Sequence, residues 1–237
     1  MRLSGTKVGA VNQYRGFGDV LYDKAALRPT LDLNFANNES LVDSITGKNL
    51  VTHTRASSAT YVDGDGVIKD AVTNLLTYSE EIGGTGWNET RGAVTLNNTV
   101  APDGTNTATL WTDDTVGVTY MYRSSFTFTA GITYTLSVYA KQYSGQQLRL
   151  TFLSSNGFSS EVDTTFNLDT GTVASGTGTI SSVGNGWYRC SITGTCTSTT
   201  TNNWILFWLT NDTASTGIYS WGAQLVESST AGEYVKT

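Results

Sequence analysis

The stretch that most constrains this chain begins at a turn. Val183-Gly184-Asn185-Gly186 is followed by Trp187-Tyr188-Arg189-Cys190-Ser191-Ile192, in which Tyr188, Cys190 and Ile192 share one face and Trp187, Arg189 and Ser191 the other. A period of two is the pattern of a strand, because successive side chains of a pleated backbone point to opposite sides. Asn185-Gly186 supplies the positive φ angles of a tight hairpin turn, so an antiparallel neighbour is expected at Ile180 to Val183. That places the strand inside an antiparallel sheet.

Most later apolar stretches have the same texture. Strands are predicted at Ala93 to Leu96, Ala108 to Trp111, Thr119 to Phe128, Ile132 to Lys141, Gln147 to Leu153, Thr164 to Leu168, Thr179 to Val183, Trp187 to Thr197, Trp204 to Leu209 and Ile218 to Val226. Short strands with turn signals between them describe a β-sandwich. Tyr134, Leu136, Val138 and Ala140 form one inward set, Leu148, Leu150 and Phe152 a second, and Tyr219, Trp221, Ala223 and Leu225 a third. Trp204 to Leu209 is apolar on both faces. Either both sides are covered, or one is a binding surface.

Composition fits this class. Among 237 residues there are two Pro, 25 Gly and abundant Thr and Ser, while six Trp, twelve Tyr and eight Phe supply much of a core. Charged residues are only 14%, and the formal net charge of −6 lies wholly after Asp70, where six basic residues face twelve acidic ones. Nucleic acid is thereby excluded as a partner of the β-domain, since phosphate binding needs a basic patch. No apolar region follows Met1-Arg2-Leu3-Ser4-Gly5, so no signal peptide is expected, and Trp204 to Leu209 is too short to insert in a membrane. Cys190 and Cys196 would lie roughly 20 Å apart on a straight strand, beyond disulfide reach. A hairpin at Gly194 could join them, but they read better as reduced core thiols on one face, which implies folding in a reducing cytoplasm.

Residues 1–30 carry Gly5, Gly9, Gly16 and Gly18 without sustained periodicity, and are expected to form an extended arm held by a partner. Residues 31–73 read as a short β-hairpin connector: Leu31, Leu33 and Phe35 alternate, and Ser57 to Val62 and Val67 to Lys69 flank Asp63-Gly64-Asp65-Gly66. That run is a plain turn rather than a calcium loop, because the twelfth position from Asp63 is Asn74 where an EF-hand requires Glu. No metal and no cofactor are expected. The sandwich occupies residues 74–237.

One series of motifs resembles a known family. It comprises Arg55-Ala56-Ser57-Ser58-Ala59-Thr60-Tyr61-Val62-Asp63, Asn74-Leu75-Leu76-Thr77-Tyr78-Ser79-Glu80, Trp87, Ala101-Pro102-Asp103-Gly104-Thr105, Gly186-Trp187-Tyr188-Arg189-Cys190 and Trp221-Gly222-Ala223-Gln224-Leu225. The series is similar to that of tailed-bacteriophage structural proteins of the head-fibre, tail-fibre and decoration type, whose sandwich is similar to jelly-roll carbohydrate-binding modules. The resemblance covers Leu31 to Thr237. It implies an all-β jelly-roll sandwich shown on the virion surface, assembled in the host bacterial cytoplasm and docked on capsid or tail proteins through residues 1–70.

Catalysis finds little footing. His53, the single histidine, sits in a polar run, and Glu80-Glu81 and Asp113-Asp114 are adjacent acids that a strand would point to opposite faces, so solvated turns are expected there. Binding has more support, because sugar rings stack on aromatic faces flanked by amides and hydroxyls. The candidate glycan-binding residues are Tyr120 and Tyr122 on one strand face, Gln147 and Arg149 on another, and Trp204 and Trp208 on the two-sided strand. The first expectation is a non-enzymatic capsid-attached decoration or head-fibre protein. A tail-attached fibre or adhesin that binds host surface glycan is the alternative, and a homotrimer is expected because symmetric assembly covers exposed sheet edges.

Overall fold

The computed structural model describes residues 59–62, 68–113, 119–145, 147–210 and 216–237. In chain order its strands are β1 (Ala59–Val62), β2 (Ile68–Ala71), β3 (Asn88–Thr90), β4 (Ala93–Thr99), β5 (Ala108–Thr112), β6 (Thr119–Phe128), β7 (Thr133–Ser144), β8 (Gln147–Phe152), β9 (Val162–Asn167), β10 (Thr172–Gly176), β11 (Thr179–Gly184), β12 (Trp187–Thr195), β13 (Thr200–Leu209) and β14 (Gly217–Val226). The arm of residues 1–30, the strand at Leu31 to Phe35, His53 and the Asp63 to Gly66 turn lie outside the described residues. The connector hairpin is present as β1 and β2, antiparallel with Val62 opposite Ile68.

The remaining strands form two six-stranded sheets. The first has the order β11-β12-β7-β14-β5-β4 and the second β10-β9-β8-β13-β6-β3. Antiparallel pairs join β5 to β14, β6 to β13, β7 to β12 and β8 to β9, as though one long hairpin had been rolled up. From β5 to β8 each strand falls in the sheet opposite its predecessor. This nesting is a jelly roll, and the chain's own pairing establishes it. Asn185 at φ 53° and Gly186 at φ 77° close the β11–β12 hairpin, and β12 lies between β11 and β7, an interior strand as its alternation predicts.

Between the sheets sits one continuous core. It takes Tyr134, Leu136, Val138 and Ala140 from β7, Leu148, Leu150 and Phe152 from β8, Cys190 and Ile192 from β12, and Ile205, Phe207 and Leu209 from β13. Phe128 meets Tyr134 edge-on at 4.7 Å, and Phe152 stacks on Phe158 at 4.9 Å. Such contacts add about 0.5–1.5 kcal/mol each beyond burial alone. Both cysteines are free and buried, and burial pushes the Cys190 thiol well above its ordinary range.

Strict alternation fails in β14. The register shifts between Trp221 and Gln224, with Gly222 at φ 61°. A bulge changes the face presented by everything beyond it. Ala223 and Leu225 therefore point into the core as expected, whereas Tyr219 and Trp221 join Trp187, Ala101 and Ala108 in a second cluster outside it, against Tyr139 and Tyr234.

That second cluster is capped by the chain itself. Residues after Val226 cross the outer face of the first sheet, where Tyr234 meets Trp221 at 4.8 Å and Tyr139 at 6.0 Å. Polar groups clasp this tail. Arg189 lies 5.3 Å over Tyr139 and donates to the carbonyls of Gly232 and Ala231, and desolvation lowers its pKa. Gln224 donates to the carbonyls of Ala231 and Glu233 and accepts from Val235 N at 2.7 Å. The buried Asn74 accepts from Leu76 N and Leu225 N, both at 3.1 Å, and donates to Ala223 O at 3.1 Å and Val235 O at 2.9 Å.

Two acids expected in solvated turns are buried instead. Glu80 is 9% exposed and meets Lys236 Nζ at 2.6 Å, and Asp113, 2% exposed, accepts from Thr119 Oγ1 at 2.8 Å. Their partners, Lys236 and Thr119, lie outside the short windows in which each acid reads as a polar turn.

Candidate functional site

The outer face of the second sheet is built differently. In register, Trp208 stands opposite Tyr120 on β6 and Arg149 on β8, and Leu206 stands opposite Tyr122 and Thr151. Every second residue therefore adds a side chain to one surface: Tyr120 and Tyr122 from β6, Trp204, Leu206 and Trp208 from β13, Gln147, Arg149 and Thr151 from β8. All six candidate residues read from the sequence share this face. Leu206 was not among them, and its buried side chain lies among their rings.

The rings form a continuous ladder. Tyr120 and Trp208 are 4.7 Å apart between centroids, Tyr120 and Tyr122 6.0 Å, and Tyr122 and Trp204 4.6 Å with a near-parallel 23° stack. Trp204 is 39% exposed, and Tyr120, Tyr122 and Trp208 are half-buried, so the ladder is supported from below and reaches solvent above.

Local backbone chemistry sets Trp204 outward. Asn202 is left-handed at φ 57°, and the β13–β6 register shifts on either side of Asn203. Asn203 Nδ2 donates to Thr200 O at 2.9 Å, while the buried Asn156 donates to Trp204 O at 2.5 Å. The Thr200-Thr201-Asn202-Asn203 run, outside the strand predicted at Trp204 to Leu209, is thus the bulged lead-in that aims the ring.

A polar group borders the other end. Arg149 lies 5.9 Å over the Trp208 ring, its Nη2 is 2.8 Å from Glu161 Oε1 and its Nε is 2.9 Å from Asp163 Oδ2. Glu161 and Asp163 were not singled out from the sequence. The β8–β9 pairing brings them in, and two acids spaced i, i+2 at the start of an alternating strand are the local sign. Gln147 lies one step beyond Arg149, opposite Asn167.

A second concavity of about 310 Å³ lies beside the tail, lined by Tyr78, Glu80, Leu96, Asn97, Thr107 and Lys236 among others. Its best-placed acid, Glu80, is already engaged by Lys236. Among the described residues no group of three or more His, Cys, Asp or Glu side chains could hold a metal. The arrangement suits flat, polyhydroxylated ligands: stacking along the ladder, with hydrogen bonding at its Arg149 end.

Fold and site together define a jelly-roll β-sandwich with an open aromatic face. No family model matches the chain, and no curated protein matches it. Among solved structures it is similar to the enzymatically active domain of bacteriophage CBA120 tailspike protein 4, at 15% identity and TM-score 0.40 over 63% of this chain and 21% of that one. The chain thus spans about a fifth of the tailspike chain's length. It is similar to TmCBM61 in complex with beta-1,4-galactotriose, at 12% identity and TM-score 0.42 over 66% of this chain and 99% of that one. It is similar as well to the CBM22-1 xylan-binding domain of Paenibacillus barcinonensis Xyn10C, at 16% identity and TM-score 0.37 over 68% and 98%.

Proposed function

We propose that this chain is a non-enzymatic glycan-binding surface protein of a bacteriophage particle, acting as a tail-attached fibre or adhesin. One contrast carries the reading: the chain's own tail seals the aromatic cluster outside the first sheet, whereas the aromatic ladder of the second sheet reaches solvent. Leaving large rings in water is unfavourable unless a partner uses them. The phage setting rests on the motif resemblance, with residues 1–70 as the docking part and the sandwich displayed at the virion surface.

Trp204→Ala tests the reading. Its side chain is stacked on Tyr122 and part-exposed, so the variant should stay folded with a loss of about 0.5–1.5 kcal/mol from the stack, and lose glycan retention on an affinity gel about tenfold or more, in line with the removal of one stacked ring. Unchanged retention would refute a role for the ladder.

A second reading is favoured by Leu206 at 3% exposure among rings that are themselves part-exposed, a texture shared with subunit interfaces. In that case the ladder joins copies of the chain, as in a trimeric capsid decoration or head-fibre protein. Sedimentation of the full chain separates the two: a Trp204→Ala variant that turns an oligomer into a monomer favours the interface.

A further inference from the structure

The Arg149 end of the ladder indicates which glycans the face accepts. An arginine on a sugar-binding face can hold an acidic sugar when one edge of its guanidinium fork is open, because that edge matches a carboxylate with two parallel N–H bonds. Here that edge is closed to a ligand. Nη2 donates to Glu161 at 2.8 Å, Nε is buried and lies 2.9 Å from Asp163 Oδ2 as an ion-pair contact without a hydrogen bond, and Trp208 lies beneath the group. One cation against two carboxylates leaves this triad with a formal charge of −1. Glu161 and Asp163 keep 44% and 35% of their side-chain surface exposed, so their outward lone pairs can accept from sugar hydroxyls while the free Nη1 hydrogens donate.

We infer that this face selects neutral polysaccharide and rejects uronate- or sialate-bearing polysaccharide, a conclusion that rests on the face being glycan-binding. A hydroxyl both donates and accepts, and so satisfies either member of the triad. A sugar carboxylate can only accept, has just the outward Nη1 side of the guanidinium to accept from, and meets net negative charge.

The test is retention of the full chain on an array of immobilised bacterial surface polysaccharides, with each acidic member present both native and carboxyl-reduced. At low salt, neutral and carboxyl-reduced forms should bind at least about tenfold tighter than native acidic ones, and the gap should narrow as salt screens the triad. In the Glu161→Gln/Asp163→Asn double variant the readout is the ratio of acidic to neutral affinity, which should rise about tenfold as the formal charge of the triad changes from −1 to +1. Native acidic forms bound as well as their reduced counterparts, or an unchanged ratio in the double variant, would overturn the selectivity while leaving glycan binding intact. Retention on no member of the array would overturn both.

Discussion

Asn74 offers a sharp test of what holds the sandwich together. Its side chain fills all four hydrogen-bonding positions, to Leu76 N, Leu225 N, Ala223 O and Val235 O, and so ties the entry of the domain to β14 and to the tail. Asn74→Ala removes these bonds and leaves their partners in a site where the residue itself is 5% exposed. An orphaned buried group costs about 1–3 kcal/mol. The two amides carry the full penalty, while water can reach the part-buried Val235 carbonyl, which puts the total at about 3–5 kcal/mol. For a domain of this size that lowers Tm by roughly 6–20 °C. Urea unfolding of the full chain, followed by tryptophan fluorescence, measures it. A loss below about 1 kcal/mol for Asn74→Ala would refute the clasp, because at most one orphaned group could then remain.

Two further outcomes follow from the same region. Desolvation raises Tyr234 from an ordinary 10.0 to about 12, so its neutral form is favoured in the folded state. Its contribution is therefore complete below pH 10 and is lost as pH rises towards about 12; tail-specific proteolysis should increase across that window in the native chain and lose the dependence in Tyr234→Phe. Gly222→Ala forces a side chain into φ 61° with its Cβ 2.9 Å from Tyr139 Cδ2, whereas Gly104→Ala at φ 87° meets nothing within 4 Å. The first should cost about 2–3 kcal/mol and the second about 1–2 by urea midpoint, the left-handed strain being common to both. Equal losses would show that Tyr139 yields.

Much of the fold is written in period-two patterns that local physics alone enforces. β6 runs over Thr119–Phe128 as read, and the inward faces of β7, β8 and β12 are those the alternation names. What escaped has a common cause. β3 and β10 are short edge strands with exposed side chains, so they carry no alternating apolar signal. The reversal of Tyr219 and Trp221 depends on a bulge, which adds a residue without altering composition. Glu161 and Asp163 belong to the candidate site only because β9 pairs with β8, a contact no window of sequence contains. The candidate rings were legible because two Trp on a strand already apolar on its other face have few places to go.

The motif residues and the candidate site turn out to be different parts of the molecule. Asn74, Ser79, Glu80, Trp187, Arg189, Trp221 and Gln224 all serve the clasp or the cluster beneath it: Ser79 Oγ meets Tyr234 OH at 2.7 Å, and Trp187 and Trp221 form the floor. Such residues specify how the tail closes one face of the sandwich, because each polar atom buried under it needs a particular partner at a particular place. The ladder is under no such constraint, since a ring stacks on any flat apolar surface, and its neighbours can change with the ligand. A chain could therefore keep the clasp series and exchange Trp204, Tyr122 or the Arg149 triad without disturbing its fold. The resemblance carried by the clasp motifs thus bears on architecture, and the ligand has to be read from the open face alone.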